Sequence, residues 1–384
     1  MAESALRVDH SSPISDVQTA IIDLPFRRLQ TFARFQARHQ SIVLVRLRTR
    51  CGTEGLGEAV TPCGPWWSGD SVETIRSMID HYFAPQLLDR DVFRLSETLA
   101  LLDRTARGNS FAKAAIEIAA MDLIGKLLGT PVCNLLGGRV RDHVAMAWPL
   151  ASGDFDADVA EMDSMLERGA ASAFKVKMGM MPIDEDLRRV QALAAAARTR
   201  GASLRIDPNE AWTEAEARGA FKQLEDDAID LIEQPVPRWN LQAMARLRGS
   251  ACAPLMLDES VLSPQDMVQA IRLDAGDVVS LKLMKAGGLM RTRATAQMAD
   301  AAGITSYLGT FLETSIGTAA SLHLGATLPS LPLGGETIGP LLLAQDIVRA
   351  PIRYADGGAY LPDGPGLGVE LDEDRVKEYT RTSG

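Results

Sequence analysis

The order of apolar and polar positions divides the chain into three stretches of different period. Two runs near the start, Asp16 to Leu24 and Ser41 to Thr49, predict strands, the second alternating as IVLVRLR in the manner of an antiparallel partner. Helical spacing follows over 71–88, 92–106 and 110–128, the last starting after Asn109 as a cap and stopping at Gly129 and Pro131. Between strands and helices, the Gly/Pro-rich stretch from Gly52 to Gly69 carries the adjacent Trp66 and Trp67. Such a stretch is either a loop over an active site or a surface loop pinned by its own aromatics. Strands followed by helices predict an α+β unit.

From Val144 the pattern becomes short apolar strands separated by helices, with strand candidates at 144–150, 173–179, 203–209, 231–235, 255–260, 278–283 and 305–309. An eighth is expected near Leu331 to Leu333. Pro182 and Asp184 open one intervening helix, and Thr213 with Glu216 forms a capping box for the next. Alternating strand and helix means parallel βαβ units, and seven or eight of them close into a barrel. After Gly339 the segments LLLAQDIV and IRYADGGAYLPDGPGLGVEL return to antiparallel patterning. This tail is too short for a core of its own and is placed against the N-terminal unit. The expected fold is α/β: a modified (β/α)8-type barrel over 136–344, and an α+β capping domain over 1–135 completed by about 345–384.

Composition narrows the function. The 384 residues suffice for a barrel and a smaller domain, and 46% apolar with 23% charged residues is globular usage. A net charge of −10 with scattered basic residues lacks the footprint of a nucleic-acid binder. No uncharged apolar run approaches the ~20 residues of a membrane span, and the first fifteen residues lack a signal-peptide core, so a cytoplasmic protein is expected. Cys51, Cys63, Cys133 and Cys252 have no metal spacing and are expected as reduced thiols. His10, His39, His81, His143 and His323 stand alone, which gives little support to histidine acid–base chemistry.

Polar residues recur at the ends of consecutive barrel strands: Lys175 and Lys177, then Asp207 and Asn209, Glu233, Asp258 and Glu259, and Lys282. The steps 177 to 207, 207 to 233, 233 to 258 and 258 to 282 span 30, 26, 25 and 24 residues, one βα unit each. All therefore fall on one rim, where a barrel places its active site. In AFKVKM, Phe174, Val176 and Met178 face the helices, so Lys175 and Lys177 turn into the barrel together. The same parity turns Arg205, Asp207 and Lys282 inward. Three lysines in a confined space require an anion. Asp207, Glu233 and Asp258, without histidine or cysteine, suit a hard cation such as Mg2+ or Mn2+. The competing reading is that lysines and carboxylates only neutralise one another as buried salt bridges.

In these residues the chain resembles the enolase superfamily, and within it the muconate-lactonizing subgroup. FKVK, RIDPNEAW, DLIEQP, APLMLDES, SLKLMKAGG and FLETSIGT carry the resemblance, as do GNSFAKAAIEIAAMD, LLGGRVRD, WPLASGD, GPLLL and PGLG. It implies a capping domain over a modified barrel, metal ligands Asp207, Glu233 and Asp258, and acid/base lysines Lys177 and Lys282 on opposite faces of a small carboxylate substrate. Lys175 would hydrogen-bond that carboxylate and ease proton loss from Lys177. Glu313 matches a family active-site glutamate whose role stays open. The implied reaction is cycloisomerisation of cis,cis-muconate, or a substituted muconate, to a muconolactone through a stabilised enolate, with Lys282 as electrostatic partner.

The cap segments 24–32 and 61–69 are expected to contact the distal part of the substrate. That makes Arg27, beside Arg28, and Trp66 candidate binding residues with Asn209 and Glu259, although an exposed arginine pair is equally compatible with plain solvation. Pro208 and Glu210 flank Asn209 unusually. Dipeptide epimerisation, N-succinylamino acid racemisation and o-succinylbenzoate synthesis use the same lysines. The first also calls for an Asp-x-Asp that SLPLGGETIGP lacks. A catalytically inactive barrel is the non-enzymatic alternative. The resemblance further implies a symmetric homo-oligomer, dimer or octamer.

Overall fold

A computed structural model describes residues 12–32 and 35–382; His10 and most of the first fifteen residues lie outside the described residues. Strands β1 (Ile14–Phe32) and β2 (Phe35–Thr49) pair antiparallel with Ile22 opposite Ile42, and both side chains are fully buried. A third strand, β3 (Glu54–Val60), pairs with β2 inside the stretch expected to be a loop. Gly55 and Gly57 hide it, because glycine weakens a strand unless a neighbour needs the space. The neighbour here is the helix Ser110–Leu128: a Cβ on Gly57 would lie 2.0 Å from the Ala115 carbonyl oxygen, and one on Gly55 2.1 Å from that of Ala119.

That helix is buried on all sides from Phe111 to Gly125, as an element between two layers must be. Gly129 ends it in the left-handed region at φ 66°. Asn109 does not cap it through its side chain, contrary to expectation. At φ 53° its amide turns back to the Arg107 carbonyl at 2.8 Å. The Thr213/Glu216 capping box forms as expected, with Thr213 N–H donating to Glu216 at 2.7 Å.

The barrel sheet contains seven parallel strands in sequence order: β5 (Ala147–Leu150), β6 (Ala173–Lys177), β7 (Ser203–Asp207), β8 (Ile229–Glu233), β9 (Leu255–Leu257), β10 (Val278–Leu281) and β11 (Thr305–Leu308). The run 144–150 serves two sheets, for β4 (His143–Ala145) pairs instead with the hairpin β12 (Tyr354–Ala355) and β13 (Gly358–Tyr360). No strand forms at 331–333. Gly335 closes the ring by bridging Met146 on one side and Leu308 on the other. The glycines make this approach possible: a Cβ on Gly334 would sit 2.1 Å from the Ala145 carbonyl oxygen.

The tail touches β1 at two places, through bridges Phe26 to Leu343 and Ile22 to Thr380, while its hairpin covers β4. The first sheet is also tied to the barrel rim. Gln40 donates to the Phe311 carbonyl at 2.8 Å, and Glu58 accepts the Thr314 and Gly317 N–H groups, both at 2.9 Å, at the start of the helix Ser315–Thr327. Among the described residues all four cysteines are free, and no helix is long and apolar enough to cross a membrane.

Candidate active site

Strand parity delivers the lysines as expected. Phe174 and Val176 are fully buried toward the helices, while Lys175 and Lys177 point into the barrel beside Asp207 and Glu233. Lys175 Nζ donates to Glu233 Oε2 at 2.5 Å and to Glu336, and stands 3.6 Å from Asp207. Lys177 binds Asp207 and Lys282 binds Asp258. Lys285, one helical turn beyond Lys282, adds bonds to the Asp258 carboxylate at 2.8 Å and its carbonyl at 2.7 Å. The Asn209 N–H holds Asp207 Oδ1 at 2.9 Å, and its amide reaches Asp207 Oδ2 at 3.1 Å and Glu259 at 3.4 Å. The two acid/base lysine candidates and the three ligand candidates thus meet at one rim, with Asn209 and Glu259 among them.

Charge balance distinguishes this cluster from a set of closed salt bridges. Asp207, Glu233, Asp258, Glu259 and Glu336 face Lys175, Lys177, Lys282 and Lys285. Burial works to raise Asp207, but Lys177 and Lys175 outweigh it; likewise Lys282 and Lys285 hold Asp258 far below the usual carboxylate range. Glu233 behaves differently. Burial, then Asp207, push it well above the ordinary glutamate value despite Lys175, and Asp258 adds to the rise. Burial with Asp258 and Asp207 nearby pushes Glu259 up to about 8. On the lysine side, burial opposes the Lys175 charge, but Glu233, Glu336 and Asp207 keep its pKa well above normal.

Glu233 Oε1 and Glu259 Oε2 are buried and accept no hydrogen bond. Buried carboxylate oxygens without donors, in a group of carboxylates that repel one another, are the donor set a hard divalent cation takes. The residues present therefore fit such an ion. Among the described residues, no three Asp, Glu, His or Cys side chains are gathered closely enough to hold a metal without movement.

Above the charged layer the walls are aromatic. The Lys282 ammonium lies 4.8 Å from the Phe311 ring centre and 5.4 Å from that of Trp67, and the two rings meet edge to face at 4.6 Å. These side chains, with Trp66, Pro62, Pro149, Asn209, Lys175, Lys177 and Glu336, enclose a cavity of about 70 Å3. Lys177 keeps 27% of its side chain exposed against 1% for Lys175, so Lys177 is the lysine free to reach a molecule there. A larger cavity of about 440 Å3 opens beside the start of β11, between Arg293, Asp300 and Ser330, away from this constellation.

Two expected site residues do not line the aromatic-walled cavity. Arg27 is exposed and lines a separate groove with Arg28, Trp148 and Glu161. It follows buried Phe26 on the opposite face of β1, where the ladder breaks between Pro25 and Gln30. Glu313 is buried, yet its carboxylate turns onto its own loop, accepting from Phe311 N–H at 2.9 Å and from Thr310. The preceding residue, Leu312, adopts a left-handed φ of 67° and lines the cavity itself with Thr310 and Phe311. Glu336 stands against Lys175 instead. Glu336, Lys285 and Phe311 were not singled out by the sequence pattern; the one available signal for Glu336 was its place as the only acid in SLPLGGETIGP.

Known proteins match over nearly all of this architecture. A family model described as mandelate racemase / muconate lactonizing enzyme, N-terminal domain, matches residues 16–137, and one described as enolase C-terminal domain-like matches 157–375. A chloromuconate cycloisomerase of Cupriavidus pinatubonensis is 51% identical over 94% of this chain and 97% of its own length. Muconate cycloisomerase 1 of Pseudomonas putida is 42% identical over 96% and 98%. The crystal structure of muconate lactonizing enzyme from Pseudomonas fluorescens complexed with muconolactone superposes with a TM-score of 0.95 at 43% identity, covering 97% of this chain and all of that one. In that family divalent-metal dependence is typical, in keeping with the donor set described above. Two halves matched in order, and relatives aligned from end to end, make this chain a member of the muconate-lactonizing subgroup of the enolase superfamily.

Proposed function

We propose that the chain is a muconate cycloisomerase, closing cis,cis-muconate or a chlorinated muconate to the corresponding lactone. The observation that carries this reading is one aromatic-walled cavity with Lys177 open on one side, Lys282 on the other and buried Asp207, Glu233 and Asp258 beneath. The names of the relatives supply the substrate class.

Mg2+ or Mn2+, held by Asp207, Glu233 and Asp258, would supply fixed positive charge against the negative charge that develops on the substrate carboxylate. Lys175 is locked between acids and orients that carboxylate by donating from Nζ. An oxygen of the second carboxylate adds to the β-carbon of the double bond conjugated with the first. The electron pair moves to the α-carbon, where Lys177 delivers a proton from Nζ; the product is an isomer of the substrate and Lys177 recovers its proton from solvent. Lys282, pinned to Asp258, stays charged on the opposite face, its pKa kept above the lysine norm because Asp258 outweighs burial. Asn209 holds Asp207 in place, and Trp67 with Phe311 keeps water off the reacting carbons.

The test follows loss of muconate ultraviolet absorbance with Mn2+ present. Turnover should stop with EDTA and return with added Mn2+. Absence of muconate turnover, with turnover of dipeptides or a succinylbenzoate precursor instead, would overturn the substrate assignment. A cytoplasmic homo-oligomer, dimer or octamer, goes with this reading and is measured by sedimentation velocity and cell fractionation.

A further inference from the structure

Glu210 has no part in the chemistry above and Trp67 serves there only as cavity wall, yet one side chain joins them. Glu210 belongs to the loop after β7, where it and Asn209 adopt left-handed φ values of 65° and 45° in succession. This turn brings the Glu210 carboxylate to Arg238, on the loop after β8. The Arg238 N–H donates to Oε1 at 2.6 Å, Nε donates to the same oxygen at 3.0 Å, and Nη2 donates to Oε2 at 2.7 Å. The remaining arm, Nη1, donates to the Trp67 carbonyl at 2.9 Å, and the guanidinium lies 5.0 Å from the centre of the Trp67 ring. The same ring system also meets Phe311 and the Lys282 ammonium.

From this geometry we infer that Arg238 is a positioning residue for the substrate cavity, acting through Trp67. The planar guanidinium divides its donors between a bidentate carboxylate and a carbonyl, a division that a lysine cannot reproduce. It thereby fixes the cap loop to the two barrel loops that follow Asp207 and Glu233. The Glu210 N–H bond to the Gln234 carbonyl at 2.9 Å makes those two loops a single support. When the guanidinium is removed, Trp67 loses its anchor, the wall over Lys282 loosens and the substrate meets an open cavity. This rests on the proposed cycloisomerase reading only for its kinetic arm.

The experiment compares Arg238→Ala, Arg238→Lys and Glu210→Gln with the unmodified protein. Muconate kinetics with Mn2+ are measured beside acrylamide quenching of tryptophan fluorescence without substrate, each also in a Trp67→Phe background. Arg238→Ala should raise KM about tenfold while changing kcat less than threefold, and should expose an additional quenchable tryptophan that the Trp67→Phe background abolishes. Arg238→Lys should behave like the alanine variant, whereas Glu210→Gln, which retains hydrogen-bonding capacity, should lie between it and the unmodified protein. An unchanged KM, an unchanged quenching profile, or equal losses of kcat and kcat/KM would each overturn the inference. If Arg238→Ala does not fold, Glu210→Gln decides alone, and unaltered quenching there overturns it. If no muconate is turned over by any form but the quenching change appears, the substrate reading fails while the anchoring of Trp67 stands.

Discussion

Gly309, at the end of β11, has an ordinary backbone angle, so its lack of a side chain answers to space rather than to φ. A Cβ there would lie 2.4 Å from Ser280 Oγ, 2.6 Å from Lys282 Cε and 2.8 Å from Lys282 Cγ. Ordinary contact begins near 3.4 Å, so in Gly309→Ala the lysine stem must retreat by about 0.8 Å. The Gly309 N–H bond to the Leu281 carbonyl at 2.9 Å prevents the strand from yielding instead. Displacing a charged group by ~1 Å in an active site costs ~10²-fold in rate, about 2.7 kcal/mol. Overpacking takes ~1–3 kcal/mol of stability, which a domain of ordinary stability survives. The assay is muconate turnover with Mn2+, with thermal unfolding in parallel. Gly219→Ala is the control, because a Cβ there meets nothing within 4 Å. Should Gly309→Ala keep kcat/KM within threefold of the unmodified enzyme, the claim that this glycine makes room for Lys282 is wrong.

Three further outcomes follow from the site and its frame. Lys177→Ala should abolish turnover while leaving Mn2+ affinity within a fewfold by isothermal titration, since Asp207 keeps its bonds from Asn209; surviving activity would remove Lys177 from the proton step. Burial pushes Glu117 up to about 7, with one oxygen accepting Met290 N–H at 2.8 Å and the other unpartnered. Its folded pKa lies above the unfolded value near 4.5, so its contribution is present in full below that value and is lost as pH rises through 7. Glu117→Gln should therefore gain on the unmodified protein between pH 4.5 and 7, by about 3 kcal/mol at the upper end; parallel stability curves would contradict this. Burial also holds His323 down to about 4, with Nδ1 accepting from Cys133 N–H, so stability should fall as pH drops from about 6.5 through 4, measured by denaturant titration across that range.

The barrel and its charged rim were legible because two periodicities coincide. Alternation within β6 oriented Lys175 and Lys177, and the spacing of one βα unit aligned Asp207, Glu233, Asp258 and Lys282. Where the local pattern is set by a distant neighbour, the sequence misled. Gly55 and Gly57 resemble loop residues until the helix Ser110–Leu128 is seen lying on them. Glu336 follows a two-glycine segment with no alternation to orient it, and Glu313 lies past the end of β11, beyond the left-handed Leu312, so strand parity reached neither and Glu313 entered only through the family resemblance. For Arg27 the sequence left two readings open, a substrate clamp or a solvated pair with Arg28, because charge alone does not say which face of β1 a residue takes; it lies exposed next to buried Phe26.

The ring of strands is fastened at one point by Gly335, and the next residue is the acid that grips Lys175. This ribbon holds its neighbours by two backbone hydrogen bonds on each side, to Ala145 and Ala147 and to Leu308, with no strand of its own to back them, so it is the natural place for the cylinder to unzip. Gentle warming should accordingly silence the enzyme before the far-ultraviolet circular dichroism moves, with amide exchange quickest along 334–336.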